Sequence, residues 1–189
     1  YFSVLLRPPL APVQCGVLPL VAGVAVAEAL AIFGASPGVK WPNDVWLTRG
    51  GGKAAGILVE MAAEADRVSW VSVGIGMDVR RADSPAAAAY DGAAFLEDVA
   101  GPVRLAEVAA RTLDSLARRY SEFLRHGASP ALGAFEGLDV LRGRLVRVRD
   151  LAGAVVAEGE ADGVDDEGRL LVKSADSTVP VVAGEVTLS

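Results

Sequence analysis

Three short segments of this 189-residue chain bring together side chains able to do chemistry. The first is Lys40-Trp41-Pro42-Asn43-Asp44, which packs a cation, a stiff aromatic–proline pair, an amide and a carboxylate into five positions. Pro42 biases Trp41 away from helix, so Val39 to Leu47 reads as extended. Alternate residues of a strand share a face, which would set Lys40 and Asp44 on one side with Pro42. Asn-Asp after Pro is also the mark of a turn, and for the segment taken alone that plainer reading is preferred.

The second segment is Gly50 to Leu58, Gly-Gly-Gly-Lys-Ala-Ala-Gly-Ile-Leu. A glycine loop ahead of Lys53 can turn backbone N–H groups and an ammonium onto an anion. It is not a Walker A loop: Leu47 stands where the first glycine belongs, Ala54 replaces Ser/Thr, and a strand follows instead of a helix. A plain hairpin turn explains it equally well. The third segment is Val73-Gly74-Ile75-Gly76-Met77-Asp78-Val79. No helix follows it, so it is not a dinucleotide fingerprint. Glycines inside a strand do mark the close approach of a ligand or another backbone.

The surrounding elements must position these groups. Tyr1 to Leu6 reads as a strand ended by Arg7-Pro8-Pro9. Val17 to Phe33 is apolar on nearly every side, with Glu28 its one charge, and fits a helix buried in a core. Lys53–Met61 and Val68–Val79 read as neighbouring strands around a polar turn at Ala63 to Arg67, and Arg80 to Gly92 as a loop. Pro102 to His126 is an amphipathic helix expected to pack on the outside of the sheet, with Leu105, Val108, Leu113, Leu116, Tyr120 and Phe123 inward and Arg111, Arg118, Arg119 and Arg125 outward. From about Val140 the texture changes to short alternating strands divided by Gly, Asp and Ser turns, which suggests a small β-barrel with Val146, Val148, Leu171 and Val181 in its core.

Composition narrows the function classes. With 52% hydrophobic and 22% charged residues the chain can bury a core. Its formal charge of -6 argues against a nucleic-acid surface but leaves a local phosphate site open. Cys15 is alone, which excludes an internal disulfide and a cysteine zinc site, and the lone His126, in a polar helix end, reads as a solvated surface histidine in preference to a member of a Ser-His-Asp triad. Lys occurs only at Lys40, Lys53 and Lys173, whereas the other basic residues are Arg, so any retained Lys draws interest. The apolar run Cys15 to Ala27 is too short to span a bilayer and lacks a basic lead, so a cytoplasmic location is expected.

In order and spacing, Lys-Trp-Pro-Asn-Asp, then Gly-Lys-x-x-Gly-Ile-Leu-x-Glu (Lys53, Gly56, Ile57, Leu58, Glu60), then Gly-Ile-Gly-x-x-Val (Gly74, Ile75, Gly76, Val79) resembles the biotin–protein ligase family. Tyr1-Phe2-Ser3-Val4 is similar to that family's central strand. Gly163-Val164-Asp165 and Ala183-Gly184-Glu185-Val186 are similar to its C-terminal domain. The resemblance implies an α+β fold, a mixed sheet backed by helices as in class II aminoacyl-tRNA synthetases, with a small C-terminal SH3-like β-barrel. It divides the chain into a catalytic domain at 1–138 and an SH3-like domain at 139–189. The implied activity joins biotin to ATP as biotinoyl-AMP and passes biotin to a lysine of a carboxylase's biotin-carrier domain.

By the same resemblance Lys53 is the cation between carboxylate and α-phosphate. Asp44 either holds Mg²⁺ or orients the incoming amine, and both roles stay open. Asn43 and Asp44 fall at the nucleotide end, and Lys40, Trp41 and Asp78 are counted among the substrate- or nucleotide-binding residues; Trp41 and Trp46 are candidates to line the site, though core packing is preferred for Trp46. The Gly56–Ile57 backbone meets the biotin ring, and Gly74 and Gly76 leave room for it. Two departures follow. Asp78 stands where the family has Asn, which puts nucleotide affinity in doubt because a carboxylate only accepts. No match exists to the family's Gly-Arg-Gly-Arg-x-Gly-Arg loop or its N-terminal winged helix. The expectation is therefore either a chain lacking the first part of the catalytic domain or one whose missing piece comes from another chain, in both cases a weak ligase by itself and with no DNA partner. A lipoate–protein ligase-like enzyme and a non-catalytic binding module are the alternatives.

Overall fold

The computed structural model describes residues 1–48, 51–81, 92–175 and 177–188. Residues 82–91 of the expected loop, and Gly50 of the expected glycine turn, lie outside the described residues. Five strands form the first sheet: β1 (Phe2–Leu6), β2 (Pro37–Lys40), β3 (Asp44–Leu47), β4 (Gly52–Glu64) and β5 (Arg67–Met77), in the order β1-β5-β4-β3-β2. Each neighbouring pair of these strands is antiparallel. Parallel pairing enters as two isolated bridges, Val39 with Asp139 and Lys53 with Ala93.

Val39 to Leu47 is not one extended segment but a hairpin. The chain reverses at Trp41 to Asn43, across a cis Trp41–Pro42 peptide, and Lys40 faces Asp44 in register. The two share a face because they are directly opposed, not because they are alternate residues of one strand. β4 runs longer than expected, β5 begins one residue earlier and ends two residues sooner, and the two close through Ala65 and Asp66 alone. Between β3 and β4 the register slips: Val45 opposes Ala55 and Trp46 opposes Lys53, so Ala54 is an extra residue. Ala54 and Ala55 are both buried at this bulge.

One face of the sheet, with Val39, Val45, Leu47, Ile57, Val71, Val73 and Ile75, shares a core with helix α1 (Leu18–Ile32). Pro19 stands in the first turn of α1, where its missing N–H costs nothing, and Gly34 follows its end at φ +81°. Around the charge-free stretch Cys15 to Ala27, the run Pro12–Ile32, which includes Glu28, is long and apolar enough by composition to cross a membrane; 72% of an 18-residue window within it is buried inside the fold. After a short helix α2 (Glu97–Ala100) come α3 (Leu105–His126) and α4 (Ser129–Glu136).

The amphipathic helix α3 packs mainly on α1 and α4 as a second helical layer and reaches the sheet at the end of β5, where Thr112 Oγ1 lies 3.7 Å from Met77 Sδ. Its buried positions are Val108, Thr112, Ser115, Leu116 and Phe123, while Leu105 and Leu113 are exposed, contrary to expectation. Arg119 is turned inward as well. It pairs with Glu28 of α1 and with Glu122, and Arg118 reaches the other oxygen of Glu28 at 2.9 Å. The single charge of a buried helix needs partners, and these two guanidinium groups supply them.

β6 (Leu145–Arg149), β7 (Val155–Val164), β8 (Leu170–Lys173), β9 (Thr178–Val181) and β10 (Glu185–Leu188) form the second sheet, in the order β10-β6-β7-β8-β9. Val146, Val148, Ala157, Ala161, Leu170, Val172, Val181 and Val186 are its buried hydrophobic residues. On β8 the expected Leu171 is only half-buried, and Leu170 and Val172 point inward instead. With a period of two, an apolar run can enter the core on either phase. The buried residues of both sheets form one continuous cluster.

Candidate active site

The face of the first sheet opposite α1 carries Ser3, Leu5, Leu58, Glu60, Gly74 and Gly76, and there the three chemical segments meet. β3 sets Asp44 opposite Gly56 and Trp46 opposite Lys53. Asp44 and Lys53 therefore meet diagonally across the strand pair, with Lys53 Nζ 2.6 Å from Asp44 Oδ1. Gly56 lies beneath this contact: a Cβ there would stand 3.1 Å from Lys53 Nζ and 3.9 Å from Asp44 Oδ1. The backbone of Lys53 is held on its outer side too, donating to Gly92 O and accepting from Ala94 N, both at 2.8 Å. The Lys53 side chain is 44% exposed, so a fixed root carries an ammonium open to the face.

Asn43 lies beside this pair, but its amide is engaged. Its Nδ2 donates to Ile57 O at 2.7 Å, and Ile57 N donates to Asn43 O at 2.8 Å. These bonds engage both backbone groups of Ile57, whose side chain is buried, and leave the second lone pair of its carbonyl open. Asn43 clamps the hairpin turn onto β4 and keeps only its Oδ1 for another partner.

The two tryptophans exchange their expected places. Trp41 is 2% exposed, and its Nε1 donates to Gly168 O in the turn between β7 and β8 at 2.9 Å. Trp46 is half-buried on the same strand face as Asp44, with Lys40 Nζ 5.3 Å from its ring centroid, a cation–π distance. Burial pushes the Lys40 ammonium below its usual range, an effect that Lys53 reinforces and that Asp44 and Glu185 partly offset. A cleft of about 450 Å³ adjoins them, lined in part by Lys40, Trp46, Asp139, Arg144 and Leu188.

Beyond Gly56 the floor of the face is glycine. Gly56 pairs with Gly76, and Leu58 with Gly74, which in turn opposes Ser3. A Cβ at Gly76 would meet nothing within 4 Å, and one at Gly74 would touch Leu58 O and Ser3 Oγ at 3.5 and 3.6 Å. Asp78 follows at the end of β5, its N–H bonded to Ala54 O and its carbonyl to Leu96 N. Burial raises the Asp78 carboxyl above the ordinary carboxylate range, with Lys53 opposing the rise. Leu58, 62% exposed among the glycines, and Glu185, which acts on Lys40, were not singled out as site residues. The alternation Gly56-Leu58-Glu60 on one face is the sequence signal for Leu58.

The arrangement is a cation–carboxylate pair at the rim of a smooth, partly apolar floor. It suits a ligand with a flat apolar body and an anionic end placed at Lys53. Among the described residues no cluster of three His, Cys, Asp or Glu side chains gathers as a metal site.

The family profile described as Biotin protein ligase C terminal domain matches residues 143–189. The biotin--[acetyl-CoA-carboxylase] ligase of Paracoccus denitrificans is 31% identical over 192 residues, covering 97% of this chain and 78% of that protein. The bifunctional ligase/repressor BirA of Bacillus spizizenii is 33% identical over 191 residues, covering the whole of this chain and 58% of that protein. The chain thus spans little more than half the length of that relative. The apo biotin protein ligase of Aquifex aeolicus superposes with a TM-score of 0.83 at 26% identity, covering 100% of this chain and 81% of that one. The same ligase in complex with biotin and ATP superposes with a TM-score of 0.80, covering 100% and 77%.

Proposed function

This chain belongs to the biotin protein ligase family, and we propose that it carries out ATP-dependent formation of biotinoyl-AMP and transfer of biotin to a lysine of a carboxylase's biotin-carrier domain. The observation that carries the reading is the Lys53 ammonium held over Gly56 at the edge of the glycine floor. In the first step a biotin carboxylate oxygen bonds to the α-phosphorus of ATP and pyrophosphate leaves. Both reactants are anions, and a fixed cation between them lowers the barrier. A lysine ammonium has three donors, of which Asp44 takes one, so two remain for the carboxylate and the phosphate. The floor at Gly56, Gly74 and Gly76 accommodates the flat ring system of biotin, with Leu58 as an apolar wall.

In the second step the acceptor amine attacks the anhydride carbonyl, and AMP leaves. Asp44, half-buried at the end of the hairpin turn, is the carboxylate available to orient that amine and take its proton. The donor chemistry also suits Mg²⁺, which typically takes one or two carboxylates together with substrate phosphates. Asp44 would hold it, and the ion would neutralise triphosphate charge when bound. Lys40 and Asp78 flank the pair on either side and are assigned to the nucleotide, with Trp46 in place of the buried Trp41. Residues 1–138 form the catalytic unit in this reading and 139–189 the SH3-like unit.

The test is biotin-dependent AMP formation and label transfer to an isolated biotin-carrier domain, run beside the same assay with lipoate. Transfer with biotin, absent when the acceptor lysine is replaced, is the expected result. Equal labelling with lipoate, or no biotin-dependent AMP, would defeat the proposal.

A further inference from the structure

Two residues 127 positions apart meet in a single hydrogen bond, Trp41 Nε1–H to Gly168 O. Trp41 is almost wholly buried, so water does not compete for this bond. The turn that offers the carbonyl is stiff. Asp165 Oδ1 accepts from Glu167 N at 3.0 Å and Arg169 N at 2.9 Å, and its Oδ2 accepts from Arg169 Nε at 2.6 Å. Gly168 lies at φ +77° and its N–H donates to Asp165 O at 2.9 Å. A Cβ on Gly168 would meet Leu20 and Val17 at 3.3 to 3.5 Å, so the turn is wedged against the start of α1.

On its other side Trp41 opens the hairpin turn that carries Asn43 and Asp44. From there the chain is fixed by the Asn43–Ile57 bonds and ends in the Asp44–Lys53 contact. We infer that the Trp41–Gly168 bond is a strut through which the second sheet sets the position of Asp44, and through Asp44 that of the Lys53 ammonium. Trp41 is then a positioning residue, and the Asp165–Arg169 turn is part of the site although it touches no reacting atom. This goes beyond the ligase reading and can be tested without it.

The chain has three lysines, Lys40, Lys53 and Lys173, so labelling lysine at Cε gives a spectrum of three lines, assigned by Lys→Arg replacement. Lys173, at the far end of β8, reports on the second sheet itself. Trp41→Phe keeps most of the buried ring and removes the donor. Asp165→Ala loosens the turn without touching Trp41. Both are expected to move the Lys53 and Lys40 lines and leave Lys173 in place, with the smaller shift in Asp165→Ala. In the biotin-transfer assay both lower kcat, by up to about 10²-fold for a misplacement near 1 Å, with KM changed less. A Lys53 line unmoved in Asp165→Ala overturns the strut, because any effect of Trp41→Phe then belongs to the ring alone. Collapse of all three lines in Asp165→Ala also overturns it, showing that the turn holds the fold and not the site. If Trp41→Phe does not fold, Asp165→Ala decides. Lack of ligase activity in the unaltered chain would count against the functional proposal, and the lysine lines would still read the strut.

Discussion

Lys53 Nζ lies 2.6 Å from Asp44 Oδ1, and the pair crosses diagonally from β4 to β3 above a residue with no side chain, Gly56. The slot over Gly56 admits a slim ammonium and its last methylene. A planar guanidinium needs more room and presents its donors as a fork. Lys53→Met is therefore expected to slow biotin-dependent pyrophosphate release by about 10²–10³-fold, and Lys53→Arg to restore little of it. Rapid-quench measurement of the first turnover checks both, and an Arg variant close to the parent rate would refute the steric half of the argument.

The glycines of the floor separate into two kinds. At Gly56 an added Cβ would press at 3.1 Å on Lys53 Cε and Nζ, the flexible end of a side chain, so the fold survives while the ammonium shifts. At Gly76 nothing lies within 4 Å. Gly76→Ala should keep or slightly raise thermal stability, since Gly in a strand interior costs roughly 0.5–1 kcal/mol relative to Ala. It should also weaken biotin binding by filling the ligand's space. Thermal melting beside a calorimetric biotin titration distinguishes the cases, and unchanged biotin affinity in Gly76→Ala would place the ligand elsewhere.

Asp78 gives a pH dependence whose sign is set by burial. Its carboxyl is raised in the folded chain, so between the ordinary carboxylate pKa and the folded value the native state binds more protons than the unfolded one. Stability conferred by this group is present at acid pH and falls as pH rises through that window. Asp78→Asn removes the titration, so the variant should gain stability over the parent as pH rises from the acid side to neutrality. It also supplies a donor to the nucleotide and should tighten ATP binding. Melting temperatures of both proteins across that range test the first point; parallel curves would show that Asp78 is not the group responsible. Asp139, raised by burial in the same way, contributes equally to both proteins and cancels.

Glu28 behaves in the opposite sense. Burial alone would raise its pKa, but the hydrogen bonds and charges of Arg119 and Arg118 win and lower it. Its stabilising effect is present at neutral pH and is lost as pH falls through the depressed value. Glu28→Gln should cost about 1.5–3 kcal/mol at neutral pH, the range for hydrogen bonds to charged groups, and the deficit should shrink in acid. Urea unfolding at two pH values measures it, and a deficit that grows in acid would contradict the assignment.

Much of the scaffold is legible from pattern. α1 is apolar all round and must be buried, and the Val- and Ile-rich runs on either side of Ala65 can only be neighbouring strands. The positions of Lys53, Gly56, Gly74 and Gly76 on one face follow from segments whose order and spacing resemble a known family. What pattern does not give is phase and partner. Leu171 and Leu170 are both leucines in a short strand, and only pairing with β7 and β9 decides which points inward. Trp41 and Trp46 differ in burial because one finds an acceptor 127 residues away. Arg119 reads as a surface residue until Glu28 of another helix is placed beside it.

The extra residue at Ala54 has a consequence for how the Lys-x-x-Gly spacing works. Counting along a regular strand, positions 53 and 56 would look out on opposite sides, and the lysine would never see the glycine. One surplus residue inverts the parity of everything before it, so the two look the same way. The motif is thus an odd interval made even by a fold in the ribbon. Deleting Ala54 would take out the odd interval together with the bulge and leave the lysine facing the glycine, whereas straightening the bulge with every residue kept would turn the lysine away.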